Sequence, residues 1–416
     1  MKYGLIGRTL VHSYSKEIHE ALGQYEYNLF SMEPSELEGF IGARDFGGLN
    51  VTIPYKKDVI PLCDQVSDLA SEIGAVNTLY FADGKLCGHN TDYEGFLYAA
   101  KRAGIDFSGK RVLILGTGGT SLTARVAAGH QGASEVIIAS RSQSDGDKLL
   151  TYEELDKVSD GIEIIVNTTP AGTYPNNLQG VIDLDRFPAC EGVIDVIYNP
   201  FKTLLIQQAE GRGLKWSNGL PMLVAQATAA AGYFLGTPGA FEDKNEEIIS
   251  AMEQKMRNIV LIGMPGCGKS TVAKALGKIT GKTVVDMDDE IVRRAGISIP
   301  EIFARDGEAG FRNIESQVAA DLGKEKAQII ATGGGAVLRA ENVAALRQNG
   351  FVLLLKRPLD KLATKGRPLS RDVDALRKME KERMPLYEAA CDMMIDNSRY
   401  RSKKALEEML RKALNL

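Results

Sequence analysis

The stretch from Asn258 to Thr271 reads NIVLIGMPGCGKST, and it decides the fold of the last part of the chain. Its apolar run, Ile259 to Ile262, predicts a buried strand that ends at Gly263. Gly268-Lys269-Ser270 follows at the spacing of a phosphate-binding loop, whose glycines let backbone N–H groups turn toward phosphate oxygens. The alternative is an ordinary glycine-rich turn. Because a strand, a loop and a helix fall where phosphate binding requires them, the pattern favours the loop and a domain that starts near residue 258.

Composition and charge limit the classes to which this chain can belong. The 416 residues are 44% hydrophobic and 25% charged, which is typical of a globular protein of roughly two to four domains. The net charge is −4, so no basic surface indicates nucleic acid or anionic lipid as a partner. The sequence has neither a membrane-spanning apolar run nor a signal-peptide pattern. The five scattered cysteines form no CxxC pair, which indicates a cytoplasmic location and no structural metal.

The first predicted loop carries two serines that are candidates for binding an anion. Lys2 to Ile6 predicts a strand, and the loop after it contains Ser13 and Ser15. Both hydroxyls could be aimed at a carboxylate, or Ser15 could cap the helix that begins near Glu17. The spacing alone leaves both interpretations open.

Further polar groups follow in three short segments. Residues 50–57 read NVTIPYKK, and the alternation predicts a strand that ends at Pro54 and leaves Lys56 at a strand-to-helix junction. GAVNT at 74–78 and GHNTDYEG at 88–95 add amides, hydroxyls and a carboxylate. A lone lysine at a helix start is normally a solvated surface residue. Together, however, these segments offer the short polar side chains that bind a polyol.

In this order, HSxSxxIH, NVTIPYK, GAVNT and GxNTDxxG resemble the motifs of shikimate dehydrogenase. The resemblance implies that Ser13 and Ser15 hold the substrate carboxylate and that Lys56 and Asp92 form the catalytic pair. It also implies contacts to the ring hydroxyls from four polar residues, Asn50, Thr52, Asn77 and Asp92. Hydride addition to a carbonyl creates an alkoxide, which a lysine ammonium can protonate while a neighbouring carboxylate orients it. Lys16 stands where the family commonly has proline, which alters the stiffness of the loop and not the chemistry.

A dinucleotide-binding pattern comes next. Arg111 to Leu115 predicts a buried strand, and GTGGTS follows it at 116–121. This predicts a Rossmann domain that binds its cofactor through the turn residues Gly116, Thr117, Gly118, Gly119 and Thr120. An NAD-binding domain has an acid at the end of the second strand, predicted here over 135–139. The chain instead has Ser140, Arg141 and Ser142, which favours the 2′-phosphate of NADP(H), although Asp145 stands near the place of the family's usual second basic residue.

Four later positions complete the first site by resemblance. Strands are predicted over 164–167 and 193–196, and an alanine-rich helix begins at Gly219. Val196 and Gly219 match positions beside the nicotinamide, and Tyr198 and Gln226 match positions that contact the substrate. Glu242 to Arg257 is charged and helical in pattern, and it predicts the last helix of the dehydrogenase together with a connector, over 237–257.

Residues 258–416 resemble shikimate kinase through DxDxxI, FRxxE, ATGGG, RPL and RxPLY. Thr283 to Asp288 predicts a strand that ends in two aspartates, of which Asp286 would bind Mg²⁺ and Asp288 would orient the attacking hydroxyl or act as its base. ATP is expected on the phosphate-binding loop and its lid, that is on Gly266, Cys267, Gly268, Lys269, Ser270, Thr271 and Arg367. Ser270 adds a second magnesium ligand.

The same resemblance assigns a substrate side to the kinase. It implies that Arg312 and Arg383 clamp a carboxylate, a geometry that suits arginine better than lysine. Gly334 would bring backbone against the ring, and Arg367 would close over ATP. The lid between Leu362 and Arg367 is shorter than usual, with Thr364 or Lys365 in place of an arginine. Arg399 is a candidate for contact with adenine.

The sequence therefore predicts an α/β protein with an N-terminal α/β substrate domain (1–100, completed by helices at about 220–240) and a Rossmann NADP domain (101–219). A helical connector (237–257) and a P-loop kinase domain with a central parallel sheet (258–416) follow. The predicted function is reduction of 3-dehydroshikimate with NADPH, then phosphorylation of shikimate with ATP and Mg²⁺. These small molecules are the expected partners, and no feature specifies an oligomeric state. Two alternatives are a quinate/shikimate dehydrogenase that uses NAD and a non-catalytic sensor, although a sensor should have lost Lys56, Asp92, Lys269 or Asp288, which are all present.

Overall fold

The computed structural model describes residues 1–10, 13–141, 149–362, 373–398 and 402–414. The chain divides into two compact units, Met1–Met252 and Glu253–Leu416. The first unit contains two sheets and the second contains one, and helices connect most of the strands. This arrangement confirms the predicted α/β class. Among the described residues, no helix has both the length and the apolar character that crossing a membrane requires. All five cysteines are free.

The first sheet has six strands in the order β2-β1-β3-β5-β6-β4. Its elements are β1 (Tyr3–Gly7), α1 (Ser15–Ala21), β2 (Tyr27–Ser31), α2 (Pro34–Gly42), β3 (Gly48–Val51), β4 (Gln65–Val66), α3 (Asp68–Ile73), β5 (Thr78–Ala82), β6 (Lys85–His89) and α4 (Asp92–Ala103). β1 runs parallel to β2 and β3, whereas β5 is antiparallel to β3 and β6. Strands β1 and β3 lie inside the sheet and are almost wholly buried, including the polar Asn50 of β3.

The second sheet is parallel throughout and has the order β12-β11-β10-β7-β8-β9. Its elements are β7 (Arg111–Leu115), α5 (Gly119–His130), β8 (Glu135–Ser140), β9 (Leu149–Thr151), β10 (Ile164–Asn167), β11 (Gly192–Asp195), α6 (Leu204–Gly211) and β12 (Lys215–Ser217). This is the strand order of a Rossmann fold, and it reverses between β7 and β10. A crevice forms at such a reversal, outside the carboxyl ends of the strands, and dinucleotides bind there.

Two further helices follow β12, and the first of them packs on the first sheet. α7 (Gly219–Phe234) packs against α4 and α1. α8 (Asn245–Met256) lies in the segment predicted as a connector. Its first turn is bonded to the first unit, because Thr228 donates to Asn245 over 2.6 Å and Arg102 pairs with Glu246 at 2.9 Å.

The third sheet forms the centre of the second unit, and its five parallel strands have the order β14-β15-β13-β16-β17. Its elements are β13 (Asn258–Ile262), α9 (Lys269–Thr280), β14 (Thr283–Asp286), α10 (Met287–Ala295), α11 (Ile299–Lys324), β15 (Gln328–Ala331), α12 (Ala340–Arg347), β16 (Gly350–Lys356), α13 (Val373–Ala390), β17 (Met393–Asp396) and α14 (Lys403–Leu414). β13 is wholly buried in the middle, which places the loop that follows it at the centre of the carboxyl edge.

Three local predictions are wrong. The strand predicted to end at Pro54 ends at Val51, and a turn follows in which the N–H of Tyr55 donates to the carbonyl of Thr52 over 3.0 Å. No helix begins at Lys56, which lies in a series of turns. Asp288 is not on a strand, because the side chain of Asp286 accepts a hydrogen bond from the N–H of Asp288 and caps the start of α10.

Candidate active sites

The first candidate site is a cavity of about 370 Å³ in the first unit. Residues that are far apart in sequence meet there, and they include all nine of the predicted substrate contacts of the dehydrogenase: Ser13, Ser15, Asn50, Thr52, Lys56, Asn77, Asp92, Tyr198 and Gln226. Thr120, Val196 and Gly219 join them from the predicted cofactor side. Apolar residues that sequence reasoning missed, among them Met222 and Leu223 on α7, form part of the wall.

Lys56 and Asp92 form a close ion pair in this cavity. The Nζ of Lys56 lies 2.5 Å from Oδ2 of Asp92, and their side chains are 18% and 12% exposed. Asp92 is the first residue of α4, where the helix dipole favours a carboxylate. The backbone of Lys56 is fixed as well, because its carbonyl accepts a bond from the N–H of Val76 over 2.8 Å. A charged ammonium is therefore held at the cavity wall with its counterion.

Two buried amides are held in place from behind the cavity. The side chain of Asn50 accepts a bond from the hydroxyl of Tyr27 over 2.7 Å. That of Asn77 accepts a bond from the N–H of Thr91 over 2.7 Å. Behind them the ring of His19 stacks on Tyr27 with centroids 4.0 Å apart. Burial lowers the pKa of His19 to about 3, so this ring stays neutral and apolar in character near pH 7.

The two serines lie at the start of α1. Ser15 is buried, and its N–H donates to Oγ of Ser13 over 3.2 Å. The side chain of Ser15 does not cap the helix, which begins at Ser15 itself after Tyr14. The capping interpretation of Ser15 is therefore wrong, and both hydroxyls belong to the cavity wall. Tyr198 closes the same side, with its ring edge-on to Tyr14.

The predicted cofactor turn runs from β7 into α5. Gly116 to Thr120 spans this turn, and α5 begins at Gly119, so the positive end of the helix faces the crevice of the Rossmann sheet. A Cβ built on Gly119 would lie 3.9 Å from Cδ of Lys56. The turn and Lys56 therefore border one cleft.

The remaining predicted cofactor positions lie at the carboxyl ends of β8, β11 and β12. At Gly219 a Cβ would lie 1.9 Å from the carbonyl oxygen of Val196, so only glycine allows the two backbone segments to approach this closely. Ser140 is buried at the end of β8, and Arg141 is exposed directly after it. Ser142 lies outside the described residues.

The second candidate site is a cavity of about 640 Å³ at the carboxyl edge of the third sheet. The predicted residues that line it are Gly266, Gly268, Lys269, Ser270, Thr271, Asp286, Asp288, Arg312, Gly334 and Arg383. Cys267 is buried behind the loop. Arg367 and Arg399, together with Thr364 and Lys365, lie outside the described residues.

The loop after β13 has the backbone of a phosphate cradle. Gly266 and Gly268 have φ values of 84° and 104°, which residues with side chains rarely adopt. Asn397 holds the loop from outside by donating its Nδ2 to the carbonyl of Cys267 over 2.7 Å. At the start of α9 the hydroxyl of Ser270 donates to Oδ2 of Asp286 over 2.8 Å. Two oxygen ligands of the kind that Mg²⁺ prefers therefore lie side by side.

Two arginines approach the cavity from the other side. Arg312, on α11, pairs with the buried Glu315 at 2.7 Å and stacks over Phe311. Arg383, on α13, donates to the carbonyl of Gly334 over 2.9 Å. Sequence reasoning missed Glu315 as a site residue, although it is the last position of the quoted FRxxE motif. Burial raises the pKa of Glu315, and the neighbouring Arg312 opposes that shift.

Known families match both parts of the chain. Residues 5–79 match the shikimate dehydrogenase substrate binding domain, and residues 265–414 match shikimate kinase. The NADP(+) shikimate dehydrogenase of Caldicellulosiruptor bescii is 36% identical over 251 residues, which are 55% of this chain and 87% of that one. That of Methanopyrus kandleri is 35% identical over 272 residues, covering 59% and 94%.

Solved structures match the first part. A chorismate mutase/shikimate 5-dehydrogenase fusion protein from Clostridium acetobutylicum has a TM-score of 0.57 and 32% identity, covering 61% of this chain and 97% of that one. Shikimate 5-dehydrogenase from Listeria monocytogenes, in complex with shikimate and NAD, has a TM-score of 0.53 and 29% identity, covering 60% and 96%.

The two units and their cavities define a bifunctional enzyme, in which an oxidoreductase is followed by a P-loop phosphotransferase. More particularly, the chain belongs to the shikimate dehydrogenase family and carries a shikimate kinase domain after it. It is a bifunctional enzyme of the shikimate pathway.

Proposed function

We propose that the first cavity reduces 3-dehydroshikimate to shikimate with NADPH and that the second transfers the γ-phosphoryl group of ATP to the 3-hydroxyl of shikimate. The observation that carries this proposal is the presence of two cavities, each lined by a group suited to a carboxylate and a group suited to a ring hydroxyl. The product of the first reaction is then the substrate of the second.

In the first cavity, Ser13 and Ser15 bind the carboxylate of the substrate through their hydroxyls. Asn50 and Asn77 bind ring hydroxyls, and Tyr27 and Thr91 fix the direction in which these amides point. Such fixed dipoles lose little entropy when the ligand binds. Thr52, Tyr198 and Gln226 complete the contacts to the ring.

The fit of a nicotinamide dinucleotide is supported by the glycine turn at the start of α5 and by Val196 and Gly219, which line the cavity beside that turn. Bound NADPH supplies the hydride that reduces the carbonyl. Lys56 stabilises the alkoxide that develops and gives its proton to that oxygen, while Asp92 keeps the ammonium oriented. Arg141, with Ser140 and Ser142, would hold the 2′-phosphate.

In the second cavity, Arg312 and Arg383 bind the carboxylate, and the backbone of Gly334 lies along the ring. Asp288 orients the attacking hydroxyl or accepts its proton. Backbone N–H groups of residues 266–271 and the ammonium of Lys269 stabilise negative charge on the phosphates. Ser270 and Asp286 would hold Mg²⁺, which neutralises part of that charge when bound, and Arg367 would close the site from the lid.

Oxidation of quinate or shikimate with NAD is the second candidate for the first cavity. It is favoured by one observation, the NAD-bound state of the Listeria monocytogenes protein. The absence of an acid after β8 and the presence of Arg141 argue for NADP(H). Titration of the reduction with each cofactor distinguishes the two.

A coupled assay on the purified chain tests the whole proposal. With 3-dehydroshikimate and NADPH, we expect consumption of NADPH and appearance of shikimate. Addition of ATP and Mg²⁺ should then convert shikimate to its 3-phosphate in an amount equal to the ADP formed. Failure of either step in folded protein overturns the corresponding half of the proposal.

A further inference from the structure

An arginine outside the predicted site borders the second cavity. Arg357 follows directly after β16 and is one of the residues that line the cavity. Its Nε is buried, and no hydrogen-bond partner for it lies in the described part of the chain. Sequence reasoning missed this residue, because it assigned the RPL motif of the kinase to residues 367–369, although residues 357–359 also read RPL.

The neighbours of Arg357 place it beside the phosphate-binding loop. β16 pairs with β13, with Leu354 opposite Ile262. Asn397 links the two segments, because its N–H donates to the carbonyl of Lys356 over 2.8 Å while its Nδ2 donates to the carbonyl of Cys267 over 2.7 Å. Arg357 therefore lies beside the phosphate-binding loop, on the side of that loop where β16 ends. The loop after β15, with Gly334 and its contact to Arg383, lies on the opposite side of β13.

The other cations of this cavity have partners in the protein. Lys269 donates to the carbonyls of Gly263 and Met264 at 2.8 and 3.1 Å. Arg312 is paired with Glu315, and Arg383 is bonded to the carbonyl of Gly334. A guanidinium stays charged at every physiological pH. A buried N–H that has no hydrogen-bond partner destabilises the folded protein. The Nε of Arg357 therefore requires an acceptor, and none of the described residues provides one.

We propose that Arg357 binds the phosphate chain of the nucleotide. This inference rests on the proposed kinase function, since it takes ATP as the occupant of the loop. The planar guanidinium suits phosphate oxygens, and its position next to the loop puts it on the nucleotide side rather than the carboxylate side. Arg357 is thus a further binding residue for the phosphoryl donor. Stacking of the guanidinium on adenine is the competing role.

Two substitutions and one control test this role. Arg357→Gln removes the charge, and Arg357→Lys keeps the charge without the planar group. Lys356→Gln is the matched control, because Lys356 is the preceding cation, pairs with Glu388 at 2.6 Å and is not part of the cavity lining. Calorimetric titration gives the Kd of each variant for ATP, ADP, AMP and adenosine, and kinase assays give the KM for ATP and for shikimate.

We expect Arg357→Gln to weaken ATP binding about 10- to 100-fold, the range for a lost charge-assisted hydrogen bond. Arg357→Lys should recover part of the affinity, and Lys356→Gln should bind ATP as the unchanged chain does. Adenosine binding and the KM for shikimate should stay constant in all three variants. A structural role alone would not separate ATP from adenosine in this way.

Two results overturn the inference. One is an unchanged Kd for ATP in both Arg357 variants, and the other is an equal loss of affinity for ATP and adenosine, which would assign the residue to the base. Failure of the proposed function is recognised separately, because the unchanged chain would then neither bind ATP nor phosphorylate shikimate.

Discussion

The two cavities differ in the number of positively charged residues that line them. Among the described lining residues, the first cavity has one cation, Lys56, which is paired with Asp92. The second has four, namely Lys269, Arg312, Arg357 and Arg383. If both bind the same acid, the first does so with neutral hydroxyls and the second with guanidinium groups.

The proposed reactions would explain this difference. In the proposed reduction the nicotinamide ring would become positively charged, so additional cations in the first cavity would oppose the reaction. During phosphoryl transfer, negative charge accumulates on the nucleotide and on the phosphoryl group that is transferred, and cations stabilise this charge. On the proposed function, the charge of each cavity therefore follows the charge that develops in its reaction, and not the charge of the ligand that the two cavities would share.

The largest expected effect comes from removing one lysine in each cavity. Lys56→Ala should lower kcat of the reduction about 100- to 10,000-fold, because the alkoxide loses its proton donor. Lys269→Ala should lower kcat of the kinase about 100- to 1,000-fold, because the phosphates lose a positive charge. Both activities are measured on each variant, since each change should leave the other activity intact.

Lys57→Ala is the control for Lys56, because Lys57 is the adjacent exposed lysine. Loss of both activities in a single, fully folded variant would contradict two independent sites and with them the comparison above.

The second prediction compares the loss of an arginine contact in the second cavity with the loss of a serine contact in the first. Arg312→Lys should raise the KM for shikimate in the kinase about 10- to 100-fold, because an ammonium cannot reproduce the two-pronged geometry. Ser13→Ala should raise the KM for the dehydrogenase substrate only about 2- to 10-fold, the range for a neutral hydrogen bond. Arg377→Lys, at an exposed position of α13, is the control. Equal effects in the two cavities would show that they do not differ in the strength of their contacts.

A pH effect should distinguish the two units. All four histidines lie in the first unit. The pKa of the buried His19 is about 3 in the folded chain and 6.5 when exposed, so protonation favours unfolding. Its contribution to stability is complete above pH 6.5 and is lost as the pH falls toward 3, by about 2 kcal/mol at pH 5. Burial raises the pKa of Asp195 to about 6, which offsets part of this loss because the protonated acid favours the folded state.

His19→Gln isolates the histidine contribution. Trp216 is the single tryptophan and lies in β12, so its fluorescence reports urea unfolding of the first unit. We expect the variant to be less stable at pH 7.5 but to lose less stability than the unchanged chain between pH 7.5 and 5. His130→Gln, at an exposed residue, should keep the original slope. Identical slopes for His19→Gln and the unchanged chain would refute the buried neutral histidine.

The smallest expected effect concerns the choice of cofactor. Arg141→Gln should reduce the ratio of kcat/KM for NADPH over NADH about tenfold, because the 2′-phosphate loses a charge-assisted hydrogen bond. Arg125→Gln, at an exposed residue of α5, should leave the ratio unchanged. If the Arg141 variant keeps the full preference, the 2′-phosphate is bound elsewhere, and the basic turn after β8 is an ordinary surface feature.

The sequence by itself determined the α/β class, the phosphate-binding loop and the glycine turn after β7. These features are local, because the loop conformation, the strand before it and the helix after it are encoded in about a dozen neighbouring residues. The predicted bounds of β7 and β10 agree with the structure for the same reason. Local reasoning was wrong at Pro54 and Asp288, where a turn and a helix cap replaced an extended strand.

Only the tertiary structure decided which of these residues share a cavity and which charges are already compensated. Ser13, Lys56, Asp92 and Gln226 meet because a return helix, α7, packs against α4 and α1. Glu315 compensates Arg312, whereas Arg357 retains a buried N–H without a partner among the described residues. The physical reason is that the state of a charged group depends on its surroundings, and packing brings those surroundings from distant parts of the chain.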